Sequence, residues 1–89
     1  MKTYLISYDL HTPGQDYSSL IDAIKEFKPW WHNLDSCWII KSDSTAKDIV
    51  NYLYQYMDNN DELLVTELAG TTSWIGFSEK ASNWLKDNL

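Results

Sequence analysis

The chain has 89 residues, 44% of them hydrophobic, and carries a formal net charge of −6 at pH 7. Thirteen acidic residues face seven lysines, and arginine is absent. Affinity for nucleic acid comes largely from cations that neutralise phosphates, so this balance argues against tight, autonomous binding of DNA or RNA. An acidic surface suits a protein partner better.

The length predicts a single domain over residues 1–89. Its five Trp, six Tyr and two Phe residues are more than one small core easily buries. Some of these rings are expected at the surface, where aromatic patches often mark partner contacts. The aromatic surplus therefore favours a homodimer.

Cys37 is the only cysteine, so no disulfide can form within the chain. Its place in an apolar run predicts a buried thiol in a reducing, cytoplasmic compartment. The start of the chain is not typical of a signal peptide. The apolar runs are far shorter than the ~20 residues that a membrane helix needs.

The first half of the chain predicts a central strand followed by a helix. Residues 3–10 have apolar side chains on both faces of a strand, which is typical of a central position in a sheet. Pro13-Gly14 breaks the chain. A helix with one apolar stripe then runs from about Asp16 to before Pro29.

Two short strands are predicted next, at 30–32 and 37–41, either as a hairpin or as one kinked strand. A second helix covers 45–57 and a further strand covers 63–68. A short strand at 73–77 and a final helix from Ser78 to about Asn88 complete the chain.

This order predicts an α+β protein with the ferredoxin-like βαββαβ arrangement and an added C-terminal strand and helix. Two helices would cover one face of the antiparallel sheet. The other face, or an edge, would then be hidden by dimerisation. The candidate dimer-interface residues are Trp30, Trp31, Trp74 and Phe77.

The Tyr8-Asp9 end of the first strand, together with the element order, resembles the small CRISPR-associated adaptation protein and the virulence-associated protein D group. The runs 30–41 (WWHNLDSCWIIK), 61–65 (DELLV) and 74–77 (WIGF) are similar to small bacterial proteins of the SinR family. The resemblance implies a ferredoxin-like homodimer. The resemblance to the CRISPR-associated protein also implies an acidic residue at the end of the first strand. Together with the same residue of the second subunit, it would hold a divalent metal for phosphodiester cleavage.

That role falls on Asp9 alone, and the basic, Arg-containing segments of those relatives are absent here. Two Asp9 carboxylates could bind Mg²⁺, or Asp9 could accept backbone hydrogen bonds in its loop. His11 is a candidate general acid or base, or else a solvated loop residue. No HxxxH or CxxC spacing is present, which argues against a zinc site, and the sequence predicts no cofactor unless Asp9 binds Mg²⁺.

Other groups have structural interpretations beside functional ones. Trp30, Trp31, Trp38 and Trp74 form either a stacking platform for single-stranded bases or packed core and interface. Asp58, Asp61 and Glu62 are interpreted as a solvated helix end. Cys37 lacks any feature that would activate it as a nucleophile.

The sequence thus favours a cytoplasmic homodimer that acts mainly as a protein-interaction module, in a prokaryotic defence or toxin–antitoxin context. Its partners would be a second copy of the chain and another protein, and no association with a membrane is expected. The alternative is a metal-dependent endonuclease or endoribonuclease with Asp9 paired across the dimer.

Overall fold

The computed structural model describes residues 1–12, 14 and 16–89. Within them the chain forms strands β1 (Lys2–Asp9), β2 (Trp30–Leu34), β3 (Cys37–Ser42) and β4 (Glu62–Glu67), and helices α1 (Ser18–Lys25), α2 (Ala46–Tyr54) and α3 (Glu79–Asn88). This is an α+β structure. Of the predicted chain break, Pro13 lies outside the described residues, and Gly14 has the positive φ of 79° that glycine tolerates.

The four strands form an antiparallel sheet in the spatial order β2-β3-β1-β4. β1 is central, as its two apolar faces predict. β2 and β3 are joined by a turn at residues 35–36, which confirms the hairpin and rules out a single kinked strand. The two edges of the sheet are therefore β2 and β4.

One face of the sheet packs against α1 and α2. Alternate residues of β1 point to this face and are buried, as strand geometry requires. The apolar stripes of both helices close over them. The buried residues of this first core are Tyr4, Ile6, Tyr8, Leu20, Ala23, Ile24, Trp38, Ile40, Ile49 and Leu53.

The helices are short, with 8, 9 and 10 residues for α1, α2 and α3. The Thr45 hydroxyl accepts from the Asp48 amide at the start of α2, which satisfies one of the free donors of the first turn. Ser78 does the same for α3 through the Ala81 amide. No helix in the described part of the chain is long and apolar enough to cross a membrane.

The C-terminal helix α3 covers part of the opposite sheet face. There Trp31 and Ile39 are buried against Ala81 and Leu85, and these four residues form a second core. The Trp31 indole Nε1 also donates to the Ala81 carbonyl at 3.2 Å. The expectation that this face is left for a second copy to cover is therefore wrong for this part of the sheet, because α3 of the same chain covers it.

The added C-terminal strand predicted at 73–77 is also wrong, since this segment forms no strand. Trp74 and Phe77 pack instead on the second core beside α3, with the Trp74 indole donating to the Ser82 hydroxyl. Gly76 turns the segment with a φ of 86°. Packing these two half-buried rings on a sheet face requires the chain to cross that face, which takes it away from the sheet edge.

Candidate functional site

Three polar side chains meet at the end of the sheet where β1 finishes and β4 begins. Asp9, the last residue of β1, is paired directly with Glu62, the first residue of β4. His11 follows two residues later in the loop that leaves β1. Asp9, His11 and Glu62 are called the carboxylate–histidine cluster below.

The ligand atoms of this cluster, one from each residue, all lie within 4.8 Å of one another. His11 Nε2 is 2.9 Å from Glu62 Oε1, and the two side chains are 45% and 75% exposed. Carboxylate oxygens and imidazole nitrogens are ligands for divalent metals. Because the cluster faces solvent, a bound cation would keep some of its coordination positions for water molecules.

The surroundings of His11 favour its protonated form. The hydrogen bond with Glu62 raises the pKa of the imidazole, desolvation opposes this, and the negative charges of Glu62, Asp9 and Asp61 raise the pKa further. Like charges directly opposite on neighbouring strands repel each other. The end of the sheet therefore attracts positive charge.

Asp61 anchors the loop that carries His11. Its Oδ1 accepts from the His11 backbone amide at 2.7 Å and from the Tyr17 hydroxyl at 2.8 Å, while its Oδ2 accepts from the Asp58 amide at 2.8 Å. Desolvation would raise the pKa of Asp61, but these hydrogen bonds and the nearby His11 hold it below its usual value. One carboxylate thus joins the loop after β1, the start of α1 and the turn before β4.

The structure brings the two sequence-predicted site residues, Asp9 and His11, together and adds a third, Glu62. The interpretation of Asp61 and Glu62 as a solvated helix end is wrong, because Asp61 is an anchor and Glu62 begins an edge strand. The only sequence signal for Glu62 is its place just before the apolar run 63–65. That run predicts a strand but does not reveal which residue lies opposite.

The four tryptophans of the candidate stacking platform do not share a surface. Trp30 and Trp38 meet edge to face at 5.3 Å on the side of α1 and α2. Trp31 and Trp74 belong to the second core on the other side of the sheet. Neighbouring positions along β2 point to opposite faces, so one platform cannot include both Trp30 and Trp31.

The candidate dimer-interface residues are mostly in contact with their own chain. Trp31 is 5% exposed, and Trp74 and Phe77 are half-buried beside it. Trp30 is 36% exposed, with Lys25 Nζ 5.5 Å from its ring centroid. Trp30 is thus the one of these four rings that is exposed.

A different row of residues stays open on the face that α3 partly covers. The strand register aligns Leu34 with Cys37, Cys37 with Ser7, and Ser7 with Leu64, across all four strands. The two ends of this row are exposed, Leu34 by 47% and Leu64 by 57%. Leu34, Cys37, Ser7 and Leu64 are called the open strip below.

Cys37 lies in the middle of the open strip and is half-buried, so the expectation of a buried thiol is wrong. It lies beyond the row Trp31–Ile39–Leu5 that α3 and the 74–77 segment cover. Desolvation raises the pKa of the thiol, which keeps it protonated and unreactive at neutral pH. This agrees with a structural role.

No family model matches the chain, and no solved structure matches it. Two features of its described surface, the carboxylate–histidine cluster and the open strip, are the candidate functional sites.

Proposed function

We propose that this chain is a ferredoxin-like, homodimeric protein-interaction module of the bacterial cytoplasm, working in a defence or toxin–antitoxin setting. The order of the first six elements supports the ferredoxin-like part of the proposal. A βαββαβ chain with β1 and β3 in the centre and β2 and β4 at the edges is the arrangement expected of that fold. α3 is an addition to it.

The observation that carries the interaction role is the open strip. Leu64 is 57% exposed on an edge strand, at the end of a row that crosses the whole sheet. Burying a leucine side chain contributes about 1.5–3 kcal/mol, so an uncovered row of this kind favours association. A second copy of the chain presents the same row, and two such rows can pack face to face about a twofold axis.

Self-association is tested by replacing Leu64 with asparagine and measuring the mass in solution by sedimentation equilibrium. We expect the wild-type chain to dimerise at micromolar concentration and Leu64→Asn to weaken the dimer by about tenfold or more, because each copy loses one buried leucine. Ile75→Asn is the matched control, since Ile75 is 93% exposed and lies outside the strip. A wild-type monomer, or equal weakening by both variants, would contradict the proposal.

A second candidate function is a metal-dependent endonuclease, favoured by the convergence of Asp9, His11 and Glu62. In this candidate function, the Asp9 residues of two subunits would hold one Mg²⁺ between them. A divalent cation bound there would supply positive charge for the phosphate transition state and would lower the pKa of a water molecule that it binds. The acidic surroundings repel a phosphodiester, so the nuclease ranks second to the interaction module.

The nuclease is tested by incubating the chain with RNA and with DNA in Mg²⁺ or Mn²⁺. If it is correct, we expect cleavage that is abolished by Asp9→Ala and retained in Asp35→Ala, which removes an exposed carboxylate from the hairpin turn. Cleavage that persists in Asp9→Ala would assign the activity to a contaminant. No cleavage by the wild-type chain under either metal would reject the nuclease.

A further inference from the structure

We infer that Asp9, His11 and Glu62 of a single subunit bind one divalent cation of the zinc and manganese class, in preference to magnesium and calcium. This site differs from a metal held between two Asp9 carboxylates, because all three ligands come from one chain. It does not depend on self-association or on nuclease activity.

The backbone already brings the ligands together. Antiparallel pairing sets Asp9 and Glu62 directly opposite each other, where side chains on the same face lie close together. Both residues continue the face of the open strip, since each is two positions from the pair Ser7 and Leu64. His11 reaches the same place through its contact with Glu62 at 2.9 Å.

The spacing of the ligand atoms suits a metal ion. Bonds of about 2.0–2.2 Å separate neighbouring ligand atoms by about 3 Å and opposite ones by about 4 Å. The three atoms lie within 4.8 Å of one another, so small side-chain rotations are sufficient. Ser7, Leu63 and Leu64 border the adjoining cavity of about 270 Å³, which leaves room for metal-bound water.

The charges of the site also favour the binding of a cation. Among the described residues, the one ion pair that involves the cluster is internal, between His11 and Glu62, and no lysine forms a salt bridge with either carboxylate. Asp61, whose pKa is lowered, adds negative field beside His11. A divalent ion would relieve the repulsion between Asp9 and Glu62 more fully than one imidazolium does.

The ligand types set the preference among metals. Magnesium and calcium take oxygen ligands almost exclusively, whereas zinc and manganese accept an imidazole nitrogen. The His11 amide is held by Asp61 at 2.7 Å, so the loop that bears the imidazole is positioned before a metal arrives. The nitrogen ligand is therefore the source of selectivity and the two carboxylates are the source of charge.

The inference is tested by calorimetric titration of the untagged chain with Zn²⁺, Mn²⁺, Mg²⁺ and Ca²⁺ at neutral pH. We expect one metal per chain, with zinc bound most tightly and magnesium and calcium weaker by about tenfold or more. His11→Gln should reduce zinc affinity by about tenfold or more and leave magnesium affinity almost unchanged. Glu62→Gln should weaken every metal.

Two matched controls lie outside the cluster. His32→Gln removes the other histidine and Glu67→Gln removes a glutamate from the far end of β4, so both should bind zinc like the wild-type chain. Trace Mn²⁺ should broaden the amide resonances of residues 9–12 and 61–63 first. Zinc affinity retained in His11→Gln, equal affinity for zinc and magnesium, half a metal per chain, or broadening centred elsewhere would each overturn the inference.

Discussion

Replacing Trp38 with alanine should lower the free energy of unfolding by about 3–5 kcal/mol, the usual cost of truncating a buried aromatic residue. The side chain is 0% exposed, and its indole Nε1 donates to the Tyr8 hydroxyl at 3.1 Å. Its ring is stacked on His32 at 3.7 Å and meets Trp30 at 5.3 Å. Small domains are stable by only about 5–15 kcal/mol, so a large part of the stability would be lost.

Urea denaturation followed by far-UV circular dichroism measures this effect. Trp38→Phe is the graded variant, because it keeps an aromatic ring but removes the indole donor; we expect it to cost less than Trp38→Ala. Ile75→Ala is the matched control, with an expected change below about 0.5 kcal/mol for a side chain that is 93% exposed. Similar losses for Trp38→Ala and Ile75→Ala would mean that Trp38 is not a core residue.

Leu85→Ala should cost about 2–5 kcal/mol, and it tests the placement of α3 on the sheet. Leu85 is 2% exposed and belongs to the second core with Trp31 and Ile39. Truncating it leaves a cavity between α3 and the sheet, because neighbouring side chains relax only partly. If α3 were undocked, the same change would remove an exposed side chain and cost almost nothing.

Equilibrium unfolding, followed by circular dichroism and by the fluorescence of the five tryptophans, gives the free energy. Lys86→Ala is the matched control on the same helix, since alanine is an excellent helix former and Lys86 is exposed. We expect Lys86→Ala to change the stability by less than about 0.5 kcal/mol. Equal stability of Leu85→Ala and Lys86→Ala would contradict the packing of α3 on the second sheet face.

The open strip and the carboxylate–histidine cluster are neighbours on one face of the sheet. Ser7 and Leu64 belong to the strip, and Asp9 and Glu62 form the next pair on that face. Two copies packed through their strips would bring these acids nearer to each other and increase their repulsion. A cation in each cluster would reduce that repulsion, so added zinc should strengthen the dimer if both proposals hold.

Much of the fold could be predicted from local periodicity. The alternation of Tyr4, Ile6 and Tyr8 predicts a buried strand face, and these three residues are in the first core. The apolar stripes of the first two helices are likewise local patterns with a fixed spacing. The strand prediction for residues 73–77 is wrong, because apolar residues in a short run are typical of a strand but form one only where the chain lies beside a sheet edge.

The candidate site was predictable only in part. Asp9 and His11 are two residues apart, so their proximity follows from the chain itself. Glu62 is 51 residues from His11, and its contact depends on the register between β1 and β4. A shift of one residue would turn Glu62 to the other face of the sheet, and no single local pattern specifies that choice.

The amino-acid sequence by itself determined the net negative charge, the absence of arginine, the α+β alternation, the central first strand and the carboxylate at its end. These properties follow from composition and from spacing over a few residues. Only the tertiary structure decided that α3 covers the second face, that Glu62 lies opposite Asp9 and that Leu64 stays exposed. Those outcomes depend on which apolar surfaces, distant in sequence, pack against each other. The free energy of that burial is a property of the whole chain and not of any local segment.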